Sequence, residues 1–146
     1  MQRLLLEPLP PPSPAAEMVA SYLSASDAAH VGGDLYDAVA VDGGVRLVVA
    51  DVQGKGLPAV RVASVVLGAF RESAPYLDGL PQIGERIERA LARRTDGERF
   101  VTGVLAEVRD DGSVEILNYG HPPPPYGAAA EAWRRPSRAP RALRWA

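Results

Sequence analysis

Apolar and polar residues alternate along several short stretches of the chain, and a period of two predicts β-strands. The turn sequences VDGG (residues 41–44) and RDDGS (residues 109–113) lie between neighbouring stretches and favour hairpins, so the pairing is expected to be antiparallel. The predicted strands are 17–25, 35–41, 45–52, 100–108 and 113–119, with a further short strand at 131–134.

The middle of the chain follows a helical period instead. Residues 57–73 are apolar and small with few charges, and Pro58 suits a first helical turn, so a largely buried helix is predicted there. Residues 74–81 (APYLDGLP) break the pattern. In 82–94, Ile83, Ile87 and Leu91 recur every four residues, which predicts an amphipathic helix. The order of strands, two helices and strands predicts an α+β fold.

Composition narrows the class of protein. A chain of 146 residues is expected to be one domain, with residues 1–14 a helix end and proline-rich entry linker, 15–134 the domain and 135–146 an Arg/Pro-rich tail. The absence of cysteine excludes disulfides and thiol nucleophiles. A net charge of -2 argues against nucleic acid as a partner. No apolar run is long enough for a membrane span or a signal peptide, so a cytoplasmic location is expected.

Two aspartates beside glycines are the candidates for chemistry. Asp34 follows two glycines, and turn chemistry is a sufficient explanation for a carboxylate there. Asp51 ends an apolar strand, where an ionised carboxylate is costly unless it is paired or bound to metal. A phosphate-binding loop is excluded because no Ser or Thr follows Lys55. Two carboxylates on neighbouring strands would suit Mg²⁺ or Mn²⁺, so turn chemistry and metal binding both stay open.

The two histidines carry a plainer interpretation. His30 precedes the glycine pair and reads as a polar loop residue. His121 lies in a Gly-His-Pro turn and reads as a hydrogen-bonded structural residue. No Ser/His/Asp arrangement is visible in the sequence.

Four stretches together resemble one family. VGGDLYD, DVQGKGLPA, FVTGVLAEV and NYGHPPPP occur in the order found in bacterial metal-dependent protein phosphatases of the PPM (type 2C-like) class. The similarity is to the branch of the sporulation stage II E phosphatase and the stress-response sigma-factor regulators. The segment QRLLLEPLPPP also resembles the helix-to-linker entry of that branch.

The resemblance implies a fold, a cofactor and a reaction. The fold would be an α-β-β-α sandwich of antiparallel sheets flanked by helices, with Asp34, Asp51 and the Val52 carbonyl binding metal. Two Mn²⁺ or Mg²⁺ ions would activate a water that hydrolyses phosphoserine or phosphothreonine. The partner would be a phosphorylated regulatory protein of the anti-sigma-factor antagonist type. The alternative is a catalytically impaired module of the same fold that binds a phosphoprotein or another partner.

Three departures from the family pattern qualify these expectations. Gln53 stands where the eukaryotic class has a histidine, and Tyr119 stands where a small residue is usual. The later metal-binding aspartates of the family have no counterpart, since the TDG at 95–97 reads as a helix-ending loop. The domain is therefore expected to be truncated at its C-terminus, with one or weakly held metal and weak activity. Its uncovered apolar surface would favour a homodimer.

Overall fold

A computed structural model describes residues 8–20, 33–93 and 100–122, and these contain one antiparallel sheet and two helices. The sheet has the order β1-β2-β3-β4. Helices α1 and α2 lie between β2 and β3 in the chain, which confirms the predicted α+β class. The described residues hold one sheet of the expected sandwich and one helical layer. The elements are β1 (Leu35–Val41), β2 (Gly44–Val52), α1 (Leu57–Ser73), α2 (Leu80–Ala92), β3 (Val101–Arg109) and β4 (Val114–Tyr119).

The two faces of the sheet have different environments. Alternate residues such as Val48, Val52 and Leu105 belong to one core with the helices and are at most 1 % exposed. The residues between them along each strand point to the opposite face of the sheet, the open face. That face also carries apolar side chains, but Val49 on it is 47 % exposed to solvent. Because side chains alternate along a strand, this open face receives Asp51 and not Val52.

Helix α2 begins two residues earlier than its sequence pattern predicts. Pro81 was interpreted as the end of a breaking segment, but it lies in the first turn of the helix, where its missing N–H costs nothing. Leu80 is thereby buried at the start of the apolar stripe that contains Ile83 and Ile87. Helix α1 buries one wide face, whereas Ser64 and Gly68 remain exposed on the other.

The strand predicted for 17–25 is wrong over the part that the structure describes. Residues 17–20 form no strand, and Val19 is 90 % exposed. A strand requires a paired edge, and the register of the described sheet gives these residues no partner. Positions 21–25, the helix end at 1–7, the strand at 131–134, the TDG at 95–97, His30 and the tail lie outside the described residues.

Neither α1 nor α2 has the length and hydropathy of a membrane-crossing helix, and no other helix occurs in the ranges that the structure describes.

A buried ion pair joins the sheet to the segment between the helices. Arg46 of β2 donates to Glu107 of β3 at 2.7 Å, and both side chains are 9 % exposed. The same guanidinium donates to the carbonyls of Ala74 and Leu77, just past the end of α1. These carbonyls have no helical partner, so Arg46 both satisfies them and places a positive charge at the negative end of the helix dipole.

Tyr119 is accommodated by a glycine on α2. A Cβ built on Gly84 would lie 1.9 Å from the Tyr119 hydroxyl, so any larger residue would collide with the ring. Tyr119 therefore packs into a gap that Gly84 leaves. Burial, followed by the charges of Glu88 and Glu85, raises the pKa of Tyr119 to about 12.

This shift predicts a loss of stability in alkali. The unfolded chain releases the phenol proton near pH 10, whereas the folded protein retains it up to about pH 12. The free energy of unfolding should therefore fall by about 2–3 kcal/mol as the pH rises through this window. Urea titrations from pH 9 to 12 should show this fall, with a smaller one in Tyr119→Phe. Tyr76→Phe, at an 83 % exposed site, is the matched control. The prediction would be contradicted if the free energy of unfolding fell equally with pH in Tyr119→Phe and Tyr76→Phe.

Candidate metal centre

Asp34 and Asp51 lie opposite each other at one edge of the sheet. Leu35 pairs with Ala50, and the Val52 amide donates to the Gly33 carbonyl at 3.1 Å. This register places Asp34 across from Asp51. Leu35 and Ala50 face the helical core, so the two carboxylates leave the sheet on the open face.

The carboxylates interact directly. Partial desolvation raises the pKa of the Asp51 carboxyl above its ordinary value, and the charge of Asp34 and a side-chain hydrogen bond with it raise it further, while His121 opposes the shift. Two like charges held this close disfavour each other's ionisation, and a divalent cation between them would remove that penalty. The pair therefore has the electrostatic character of a cation site.

Val52 could contribute to a site only through its carbonyl, because its side chain is buried. Its side chain is 1 % exposed among the core residues, while its carbonyl faces Gly33. A Cβ built on Gly33 would lie 2.0 Å from the Val52 carbonyl oxygen and 2.8 Å from its carbon. Gly33 is therefore required for β1 and β2 to approach each other where the carboxylates meet.

Gly33→Ala should separate the strands at this edge. Because the obstacle is backbone, the strands must shift, and we expect a loss of about 1–3 kcal/mol in the free energy of unfolding, together with weaker Mn²⁺ binding. Urea denaturation and Mn²⁺ titration measure the two effects. Gly68→Ala is the control, since nothing lies within 4 Å of its added Cβ and alanine favours the helix. Equal stability of Gly33→Ala and the unmodified protein would contradict this account.

The same edge receives polar groups from β3 and from the turn after β4. Thr102 is the register partner of Asp51, so its side chain lies beside that carboxylate on the open face. The Thr102 hydroxyl is 3.2 Å from Nδ1 of His121. Asp34, Asp51, Thr102 and His121 thus form a row across the sheet edge. His121 is hydrogen-bonded as the sequence predicts, but nothing in the sequence indicates that it lies beside Asp51.

A side-chain clamp fixes the His121 turn. Asn118 accepts from the His121 amide at 2.9 Å and donates to the His121 carbonyl at 2.8 Å. Gly120 between them has φ +74, a conformation that favours glycine. The NYGHP stretch therefore forms a rigid turn, and the Asn-x-x-His spacing is the signal in the sequence that could have indicated it.

The donor set suits a hard divalent cation. Two carboxylates and a backbone carbonyl are the oxygen ligands that Mg²⁺ and Mn²⁺ prefer. Within residues 8–20, 33–93 and 100–122, no three His, Cys, Asp or Glu side chains form a group that could hold a metal ion. Gln53 is engaged with Phe100, which precedes β3: its backbone N–H donates to the Phe100 carbonyl, and its side-chain oxygen accepts from the Phe100 N–H.

Two comparisons with known proteins show what this chain is similar to. The family model for stage II sporulation protein E (SpoIIE) matches residues 41–140. The crystal structure of the RsbU and RsbW domains of Rv1364c from Mycobacterium tuberculosis matches with a TM-score of 0.59 and 30 % identity. That match covers 68 % of this chain and 28 % of the other, so the present chain spans much less than the length of that relative.

Proposed function

Because the chain belongs to the SpoIIE family, in the PPM class of phosphatases, we propose that it is a metal-dependent serine/threonine protein phosphatase. The observation that carries the proposal is the opposed pair Asp34 and Asp51, which lies on the open face of the sheet and includes a carboxyl of raised pKa. Carboxylates that meet at an exposed site can hold the divalent cations through which a hydrolase activates water.

In the proposed mechanism, each residue of the pair has a defined role. Asp34 and Asp51 would hold Mn²⁺ or Mg²⁺ through their carboxylate oxygens, with the Val52 carbonyl as a further ligand. When bound, such ions supply a water of lowered pKa that can attack phosphorus in line with the leaving serine or threonine oxygen. Gly33 lets β1 and β2 approach each other closely where the two carboxylates meet. No cysteine or other protein nucleophile is needed.

The proposed substrate is a phosphorylated protein and not a small metabolite. The carboxylates lie at the exposed edge of a sheet, and Asp51 itself is exposed, so a phosphorylated side chain on another protein can reach them. Membership of the SpoIIE family supports a role in sigma-factor regulation. We therefore propose a small phosphorylated regulator of the anti-sigma-factor antagonist type as partner.

Phosphate release from a phosphoserine peptide and from p-nitrophenyl phosphate tests the proposal. We expect release with 1–5 mM Mn²⁺, a lower rate with Mg²⁺, and none above background with excess EDTA. Restoring Mn²⁺ after the chelator should restore the rate. No release above background in Mn²⁺ would refute the phosphatase proposal, and retained binding of the phosphopeptide would then favour a binding module of the same fold.

A further inference from the structure

We infer that His121 is a substrate-binding residue whose Nε2–H donates a hydrogen bond to a phosphoryl oxygen of the phosphoester bound at the Asp34–Asp51 pair. The identity of the ligand rests on the proposed function. The inference adds a residue for which the sequence indicated only a structural role in a turn.

Position is the first argument. Antiparallel strands bring the start of β1, the end of β2, the start of β3 and the end of β4 to one edge of the sheet. Thr102 lies across from Asp51, and His121 bonds to Thr102. The imidazole is also close enough to Asp51 to act on the pKa of that carboxyl. A phosphoryl group at the carboxylate pair would therefore lie beside the ring.

The hydrogen bond to Thr102 gives the second argument. A neutral imidazole carries its proton on one nitrogen, and the partner of the other nitrogen decides which. When the Thr102 hydroxyl donates to Nδ1, the proton lies on Nε2. Nε2 has no hydrogen-bond partner among the described residues, and the side chain is only half-buried. In that tautomer the ring offers an N–H donor to a ligand.

Rigidity is the third argument. Asn118 holds both backbone groups of His121, and Gly120 fixes the reversal of the chain. Thr102 then fixes the ring itself. A donor held in place before the substrate binds loses little conformational freedom on binding, which is the condition for effective stabilisation of a phosphoryl anion.

Two substitutions separate substrate binding from a structural role. The amide of Gln can place an N–H near the position of Nε2, whereas Asn can place a polar atom only near Nδ1. If His121 contacts phosphate, His121→Gln should retain most of kcat/KM, and His121→Asn should lose about 10- to 100-fold, the value of a hydrogen bond to a charged group. If His121 only supports Thr102 through Nδ1, His121→Asn should retain more of kcat/KM than His121→Gln.

A direct measurement does not depend on turnover. The chain has two histidines, so side-chain ¹⁵N NMR of the ¹⁵N-labelled protein can be assigned with a His30→Ala variant. In Mg²⁺, titration with inorganic phosphate should shift the Nε2 resonance of His121 saturably, and the free protein should show the Nε2–H tautomer. The same titration of His121→Asn should give a weaker phosphate affinity, measured from the chemical shifts of the backbone amides around Asp51.

The outcomes are distinct. Absent turnover with a saturable His121 shift would refute the proposed function and support the inference as phosphate binding. Turnover with an unshifted His121 resonance would overturn the inference and leave the phosphatase. A loss of Mn²⁺ affinity in both variants would also overturn it, because His121 would then be a metal ligand.

Discussion

Asp51→Asn should lower Mn²⁺-stimulated phosphate release by at least about a hundredfold. Amide oxygen is a weaker ligand than carboxylate, and a metal ion contributes several kcal/mol to stabilisation of the transition state, with each 1.36 kcal/mol worth about a factor of ten. Asn is nearly isosteric with Asp, so the fold should be retained. The initial rate with p-nitrophenyl phosphate at saturating Mn²⁺ measures the effect.

Asp42→Asn is the matched control for this prediction. Asp42 is exposed in the turn between β1 and β2, at the opposite end of the same hairpin. It undergoes the same chemical change in the same pair of strands, and its rate should equal that of the unmodified protein. If Asp51→Asn retained more than half of the activity, Asp51 would not be a metal ligand.

Arg46→Ala should destabilise the fold by about 3–5 kcal/mol, the cost of removing one partner of a buried ion pair. Glu107 would keep only the more exposed Arg109 as an ionic partner, and the carbonyls of Ala74 and Leu77 would lose their donor. Since small domains are stable by only about 5–15 kcal/mol, much of the total stability depends on this residue. Urea denaturation monitored by circular dichroism measures the change.

Arg109→Ala provides the contrast. Arg109 also bonds to Glu107, at 2.8 Å, but its side chain is 45 % exposed, so its loss should cost less than about 1 kcal/mol. The double variant Arg46→Met/Glu107→Leu should recover part of the stability lost in Arg46→Ala, because it removes both buried charges. If Arg46→Ala and Arg109→Ala lowered the free energy of unfolding equally, burial would not explain why Arg46 matters more than Arg109.

Much of the fold was predictable because local patterns and tertiary packing agree. The turn VDGG (residues 41–44) joins β1 to β2 as expected, and α1 begins at Leu57 with Pro58 in its first turn. The apolar stripe Ile83, Ile87 and Leu91 faces the core. The resemblance to PPM phosphatases of the SpoIIE branch, inferred from four motifs, is confirmed by the family match.

The errors in the fold occur where local pattern is ambiguous. Pro81 can break a helix or begin one, and only the burial of Leu80 decides between these roles. Alternation at 17–20 resembles a strand, but the pattern cannot show whether an edge is available for pairing.

The candidate site was predictable in part. Asp51 stands out because it ends an apolar strand, and Asp34 because it follows two glycines. The structure brings them together, while their metal-binding role stays a prediction. The pairing of Arg46 with Glu107 depends on register across β2 and β3, which composition does not encode. His121 was assigned only a structural role because 70 residues separate it from Asp51, and the sheet alone brings them together.

Direct Mn²⁺ binding tests the central claim most directly, because it requires neither a substrate nor turnover. Electron paramagnetic resonance of the free ion can be recorded for the unmodified protein, Asp34→Asn, Asp51→Asn and Asp42→Asn. We predict saturable binding that is weakened at least about tenfold in the first two variants and unchanged in Asp42→Asn. Equal Mn²⁺ affinity in all four proteins would contradict the assignment of Asp34 and Asp51 as a divalent-cation site.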